Sequence, residues 1–304
     1  AISTIIEAAG KLVLGYGFAY GVIAFYGEVN TESASLAAAA ALLGITLGTA
    51  FSAIYLIIRH KGKGDHITAE MLADSEPAES GKSILKALIA ISVPVVLGSL
   101  VTNIASLIDV MMVQWQLVNT VKSSPEVFRE LYGAILKDTT DAEIPNYLYG
   151  VYKGYAFTLY NLVPTITSVI GVSALPVLAM AWTKKENIEI KKNIETMVKV
   201  TGLVAIPCGI GLSALAEPIL NLLYDAESIE ISTKILQILG ATAIFAGIMS
   251  PLNNMLQAIG KQWVPVRNIA VGAAIKIVVN FILVGIPEIN IIGAPIGTLC
   301  CYIY

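Results

Sequence analysis

The chain has 304 residues, of which 56% are hydrophobic and only 13% charged, with a formal net charge of −3 and a mean hydropathy of +0.75. Soluble domains carry roughly 25% charged residues, so this composition excludes an ordinary soluble protein and predicts an integral membrane protein. Outside the loops the sequence has no basic stripe and no interleaved aromatic and basic residues, so we expect no nucleic acid as a partner.

Apolar runs with few charges recur eight times along the chain. They occupy residues 12–26, 36–58, 88–113, 147–182, 198–223, 235–259, 264–284 and 291–304. A helix needs about 20 apolar residues to cross a bilayer, and none of the runs alternates with period two as barrel strands do. The sequence therefore predicts an all-α integral membrane protein with about eight transmembrane helices. Because both chain ends fall inside helical patterns, we interpret the chain as a fragment of a longer protein.

The basic residues between the runs predict the orientation of the helices. The connections after the second, fourth and sixth runs hold twelve Lys and Arg residues, whereas the alternate connections hold five. Connections rich in Lys and Arg stay in the cytoplasm. The longest of them, residues 59–83, contains several glycines and a proline, which predict a flexible cytoplasmic loop.

An internal repeat links the first two runs with the last two. Residues 8–11 (AAGK) align with residues 273–276 (AAIK), and residues 44–49 (GITLGT) align with residues 293–298 (GAPIGT). The aligned pairs lie six helices apart and therefore share one orientation, as in the parallel repeats of transporters. The repeat predicts that 1–58 are the last two helices of an N-terminal lobe, 59–83 the loop between lobes, and 84–304 a six-helix C-terminal lobe whose last helix is truncated.

Polar residues four positions apart form one stripe in each repeated hairpin. The first stripe is Ser3, Glu7, Lys11 and Gly15, and the second is Asn268, Gly272, Lys276 and Asn280. Residues at this spacing share a helix face. Two interpretations remain open for the lysines. They line a cavity for an anionic substrate, or they form ion pairs, Lys11 with Glu7 and Lys276 with a carboxylate such as Asp109.

Other polar residues inside the apolar runs are further candidates for lining a cavity. Polar groups within the bilayer usually face the protein interior or a water-filled space. The candidates are Asn103, Asp109, Lys153, Asn161, Asn253 and Asn254. Asp109 also fits the membrane interface, and the two adjacent asparagines also fit contacts between helices. The three cysteines and two histidines lack metal-binding spacing, and no catalytic motif is present, so we expect neither a metal, a cofactor nor enzymatic activity.

Several segments resemble the MurJ/SpoVB branch of the multidrug/oligosaccharidyl-lipid/polysaccharide (MOP) exporter superfamily. They include IAISVPVVLGSLVTNIASLIDVMMV, LYNLVPTITSVIGVSALPVLA, SPLNNMLQAIGK and VPVRNIAVGAAIKIVVNFILVGIPEINIIGAPIGTLCCY. The resemblance implies a two-lobe, parallel-repeat MOP/MATE-like transporter fold of fourteen helices, of which this chain would supply helices five to twelve. It also implies lobes that open alternately around a cationic cavity, with Lys11, Lys276 and Lys153 as candidate cations.

The function implied by this resemblance is that of a multi-pass flippase in the bacterial cytoplasmic membrane. Its partners would be membrane lipid and an undecaprenyl diphosphate sugar, with lipid II of peptidoglycan as the leading candidate and H⁺ or Na⁺ as a coupling cation. Two alternatives are export of another lipid-linked oligosaccharide, of O-antigen, capsule or teichuronic type, and cation-coupled multidrug antiport. A membrane scaffold for cell-wall or spore-coat assembly is a third. A lysine-lined cavity argues against cationic drugs as cargo.

Overall fold

A computed structural model describes residues 2–27, 31–63, 80–133, 135, 139–224 and 229–304. All regular structure in these residues is helical, which confirms the all-α class. Within the described residues, seven helical segments are long and apolar enough to cross a membrane, and a shorter apolar helical segment covers Asn290–Ile303, where the eighth run was predicted. The chain is a multi-pass membrane protein.

The described chain divides into two compact units, Ala1–Ser80 and Gly81–Tyr304. The first unit is a hairpin of α1 (Ile2–Tyr26) and α2 (Thr31–Lys63). The backbones of α1 and α2 come into contact at glycines, since a Cβ atom on Gly48 would lie 2.8 Å from the carbonyl carbon of Gly10. The Ser52 hydroxyl also donates to the Ser3 carbonyl oxygen at 3.0 Å. Small residues allow such close approach between membrane helices.

Both ends of the predicted loop 59–83 are helical, because α2 continues to Lys63 and the next helix begins at Gly81. An apolar run marks the part of a helix that lies in lipid, whereas polar residues beyond it can continue the same backbone hydrogen bonds. Residues 64–79 lie outside the described residues. A flexible connection between two lobes, with the domain limits given above, therefore stays a prediction.

The second unit contains the remaining helices. They are α3 (Gly81–Ser123), α4 (Pro125–Tyr132), α5 (Ile144–Val151), α6 (Phe157–Tyr160), α7 (Leu162–Thr183), α8 (Asn187–Ala214), α9 (Ala216–Leu223), α10 (Ile229–Ala258), α11 (Trp263–Val284) and α12 (Gly293–Ile303). A π-turn, Tyr152–Ala156, joins α5 to α6, and a 3₁₀ turn, Asn290–Ile292, precedes α12. Helix α10 lies at the centre and packs against α7, α8 and α12, while α11 packs against α3 and α12.

The fifth predicted span, residues 198–223, is two helices rather than one. Helix α8 ends at Ala214, and α9 begins at Ala216 after Leu215, whose φ of −106° and ψ of 21° leave the helical range. Pro218 explains the break. A proline ring clashes with the carbonyl group four residues earlier, which is that of Ala214, and it has no N–H group for the helical hydrogen bond.

Two groups of buried side chains hold the second unit together. The larger group joins α3, α4, α5, the π-turn, α9 and α10, and it includes the fully buried Phe128, Leu148, Tyr152 and Leu220. The smaller group, at the other end of the unit, is formed by Leu178, Met197 and Met255. Many other large apolar side chains are exposed along the long helices. Such exposure is expected where lipid surrounds the helices.

Helix α4 is tied to the turn before α12 by a buried hydrogen bond. The Tyr132 hydroxyl donates to Asn290 Oδ1 at 2.7 Å, and the same oxygen accepts from the backbone N–H of Ile291. Asn290 has a left-handed φ of 41°, a conformation that asparagine tolerates better than most residues. Burial raises the pKa of the Tyr132 hydroxyl above that of free tyrosine, although its hydrogen bond with Asn290 opposes the rise.

Candidate substrate-binding site

A cavity of about 210 Å³ in the second unit brings together three of the predicted charged residues. Asp109 enters it from α3, Lys153 from the π-turn and Lys276 from α11. Asn161, at the junction of α6 and α7, lines the same cavity. We call it the charged cavity. Residues from three separate parts of the chain, up to 167 positions apart, therefore contribute to one site.

Asp109 and Lys276 form a buried ion pair inside this cavity. Lys276 Nζ lies 2.8 Å from Asp109 Oδ2, and the Asn280 amide donates to Asp109 Oδ1 at 2.7 Å. The Asp109 side chain is 4% exposed and that of Lys276 is 17% exposed. Asp109 is therefore buried among the helices of the second unit. Lys276 thus forms the ion pair that one interpretation gave it, and it also lines the charged cavity.

Lys153 is held differently, by aromatic rings rather than by a carboxylate. Its Nζ lies 3.9 Å from the centroid of the Phe157 ring and 5.1 Å from that of Tyr152. Ring faces attract cations through their quadrupole without neutralising them. Within the described residues, no ion pair joins Lys153 to a carboxylate. Two ammonium groups and one carboxylate thus line the charged cavity, which leaves one net positive charge.

The three remaining asparagines of α10 and α11 line a neighbouring cavity of about 350 Å³. Asn253 and Asn254 lie on α10, and Asn268 lies one turn from the start of α11. We call it the amide cavity. It adjoins the charged cavity because the two share lining residues on three helices, namely Thr102, Ile269, Cys301 and Tyr302.

The other candidates lie elsewhere. Lys11 and Glu7 pair within α1 of the first unit at 2.6 Å, with side chains 39% and 32% exposed. Asn103 is exposed on α3 and lines neither the charged nor the amide cavity. Asn280 is fully buried beside Asp109 and does not line the charged cavity.

Sequence reasoning missed the aromatic residues of the site. Tyr302 lines both the charged and the amide cavity, and Tyr160 lines the charged cavity. Both tyrosines lie within apolar runs, where a tyrosine is usually an interfacial anchor or a core residue. Phe157 left a usable signal, because it follows Lys153 by four residues, the spacing at which helical side chains meet.

A family model described as lipid II flippase MurJ matches residues 151–304, which is half of the chain. The chain belongs to the MurJ family. This confirms the resemblance seen in the sequence, and it places Lys153, Lys276, Asn280 and all three asparagines of the amide cavity within the matched part of this MurJ-family chain. Flippases are transporters, which agrees with the expectation that the chain is not an enzyme.

Three curated proteins are similar to the MurJ-family chain over about half its length. An uncharacterized membrane protein of Methanocaldococcus jannaschii is 24% identical over 151 residues, 50% of this chain and 29% of that protein. Lipid II flippase MurJ of Bacillus subtilis is 24% identical over 151 residues, 49% and 27% of the two chains. Stage V sporulation protein B of the same organism is 23% identical over 149 residues, 49% and 28%.

The aligned part spans less than a third of the length of each of these relatives. No solved structure matches the chain.

Proposed function

We propose that this chain is part of a flippase that moves a lipid-linked cell-wall precursor across the cytoplasmic membrane by alternating access, with lipid II as the leading candidate. Lys153 is the observation that carries the proposal. An ammonium group in a cavity within the membrane is expensive unless it has a functional partner, and among the described residues Lys153 forms no ion pair and contacts the ring faces of Phe157 and Tyr152. An anionic diphosphate supplies the missing charge.

The paired residues support the same role in a second way. Asp109 neutralises Lys276, so that lysine adds hydrogen-bond donors and shape to the cavity without adding net charge. Lys153 is then the residue that we expect to contact the diphosphate, while the prenyl chain stays in lipid. The name of one relative, lipid II flippase MurJ, fits a lipid-linked substrate of this kind.

Export of another lipid-linked oligosaccharide uses the same cavity chemistry and remains the first alternative. Cation-coupled multidrug antiport is less well supported. Asp109 is the only carboxylate among the described residues that line the charged cavity, and both of its oxygens are engaged. A coupling H⁺ or Na⁺ would have to compete with Lys276 for this group.

The test is transport of a fluorescent undecaprenyl diphosphate disaccharide by the protein reconstituted in liposomes. Lys153→Met removes the unpaired charge and should abolish transport, whereas Lys153→Arg keeps the charge and should retain much of it. Lys192→Met, which removes an exposed lysine of α8, is the matched control and should transport normally. Normal transport by correctly inserted Lys153→Met would refute the proposed role of this lysine.

A further inference from the structure

Among the described residues that line three adjoining cavities of the second unit, acidic and basic side chains occur only in the charged cavity. Next to the charged cavity lie the amide cavity and a third cavity of about 160 Å³. Thr102 and Ile269 line all three cavities. Among the described residues that line the amide cavity and the third cavity, none is acidic or basic. The third cavity adds Gln257 and Gln262 to the three asparagines. The amide cavity and the third cavity together form a region rich in side-chain amides, next to the charged cavity that holds Lys153.

The hydrogen-bonding groups of this region are largely unused by the protein. Asn254 Nδ2 makes one long bond, 3.4 Å, to the Ser168 carbonyl oxygen. Within the described chain, no hydrogen bond to another protein group is formed by the side chains of Asn253 and Asn268. Each amide offers two donor hydrogens and an oxygen with two lone pairs, which a ligand in the cavity can engage. All three are partly buried.

Aromatic surface completes the amide cavity. Tyr302 forms part of its wall and of the wall shared with the charged cavity, and Met249 and Ile269 add apolar area. A site that combines apolar walls with a few convergent polar groups is the usual arrangement for a small ligand. Its volume of about 350 Å³ falls within the range of ligand pockets, roughly 300 to 1,000 Å³. A ligand with apolar faces and many hydroxyl or amide groups fits this lining.

We propose that the amide cavity binds the uncharged saccharide of the lipid-linked substrate, with Asn253, Asn254 and Asn268 as specificity-determining residues. This rests on the proposed function, in which the diphosphate lies at Lys153 in the adjoining charged cavity. Sugar hydroxyl and acetamido groups can donate to and accept from side-chain amides. A carboxylate in the same place would be desolvated without a cation, and burial of an unpaired charge is strongly unfavourable. The cavity therefore selects neutral over acidic sugars.

The experiment measures binding to the purified protein in nanodiscs with three probes. They are undecaprenyl diphosphate, the same lipid bearing N-acetylglucosamine, and the same lipid bearing glucuronic acid. Wild-type protein should bind the N-acetylglucosamine lipid most tightly. Asn253→Leu and Asn268→Leu should each weaken binding of that lipid about 2- to 12-fold, because one hydrogen bond is lost. Binding of undecaprenyl diphosphate should not change, which also shows that the variants are folded.

Two controls separate the possible failures. Asn187→Leu replaces an exposed asparagine at the start of α8 and should leave all three affinities unchanged. Lys153→Met should weaken binding of all three lipids. If the Asn253 and Asn268 variants lose all three lipids equally, or none, or if wild type prefers the acidic sugar, the saccharide assignment is wrong while the proposed function stands. If wild type binds none of the lipids, the proposed function fails and the assignment fails with it.

Discussion

Lys11 and Lys276 occupy aligned places in two related helical hairpins, yet the structure gives them different partners. Lys11 pairs with Glu7, one turn earlier on its own helix, and both side chains are about one-third exposed. Lys276 pairs with Asp109 on another helix, and Asn280 supports the carboxylate. The first pair depends on helix geometry alone, whereas the second depends on the packing of α11 against α3. A repeated sequence thus reproduces the residue and its helix but not its environment.

The glycine contacts of the hairpins differ in a related way. In the first unit, Gly48 of α2 packs against the backbone of Gly10 and Lys11. In the second unit, the aligned Gly297 of α12 lies closest to the Asn280 side chain, one turn beyond Lys276. Both hairpins use a small residue for close contact. Only in the second does that contact place a side chain that supports an ion pair.

The largest difference between the two pairs should appear when one carboxylate is removed. Asp109→Ala leaves Lys276 as a buried unpaired charge and should lower the free energy of unfolding by about 3 to 5 kcal/mol. For a domain of this size, the melting temperature should fall by about 6 to 20 °C. Thermal unfolding in detergent provides the measurement.

Two further variants sharpen that result. The double change Asp109→Leu with Lys276→Met removes both charges and should recover most of the loss. Asp141→Ala breaks the exposed pair with Arg129 and should shift the melting temperature by no more than a few degrees. A shift that small for Asp109→Ala would contradict a buried pair.

An intermediate effect is expected at the glycine that positions Asn280. A Cβ atom on Gly297 would lie 2.8 Å from Asn280 Cγ and 3.2 Å from the Lys276 carbonyl oxygen, so Gly297→Ala should push Asn280 away from Asp109. We expect a loss of about 1 to 3 kcal/mol by thermal unfolding. Gly211→Ala is the matched control, because its Cβ atom would contact nothing within 4 Å. Equal effects of the two changes would show that Gly297 does not position Asn280.

The smallest effect is expected at the pair within α1. Glu7→Gln should lower the free energy of unfolding by only about 0.2 to 0.5 kcal/mol, because a pair four residues apart on one helix contributes little when both side chains are partly exposed. The melting temperature should change by about 2 °C or less. Glu230→Gln disrupts a pair of the same spacing with Lys234 and should behave alike. A loss as large as that of Asp109→Ala would show that Glu7 is more than a local partner.

The sequence was sufficient for the features that depend on composition and on neighbouring turns. The apolar runs predicted the long helices, and the spacing of Glu7 and Lys11 predicted their ion pair as one alternative. The end of α8 was missed because a membrane span tolerates proline in many places, and only the contact of Pro218 with the preceding turn decides that this one breaks the helix.

The site was only partly predictable, because its residues meet through tertiary packing. Nothing local to the helix of Asp109 shows that Lys276 and Asn280 are its partners. The sequence identified Lys153 as a candidate cation. That it contacts the Phe157 ring and forms no ion pair among the described residues depends on the packing of α6 and α11 around it. Asn103 is exposed on α3 and lines neither the charged nor the amide cavity, so a cavity role for it stays a prediction.

The π-turn at Tyr152–Ala156 has a consequence for insertions and deletions in this helix. A π-turn contains one residue more than an α-helical turn. Deleting one residue there would restore a regular helix and rotate α5 by about 100° relative to α7, since each residue of an α-helix turns by that angle. Tyr152 would leave the core, or Lys153 would leave its cavity. The extra residue therefore fixes the rotation of α5 relative to α7, and with it the faces on which Tyr152 and Lys153 lie.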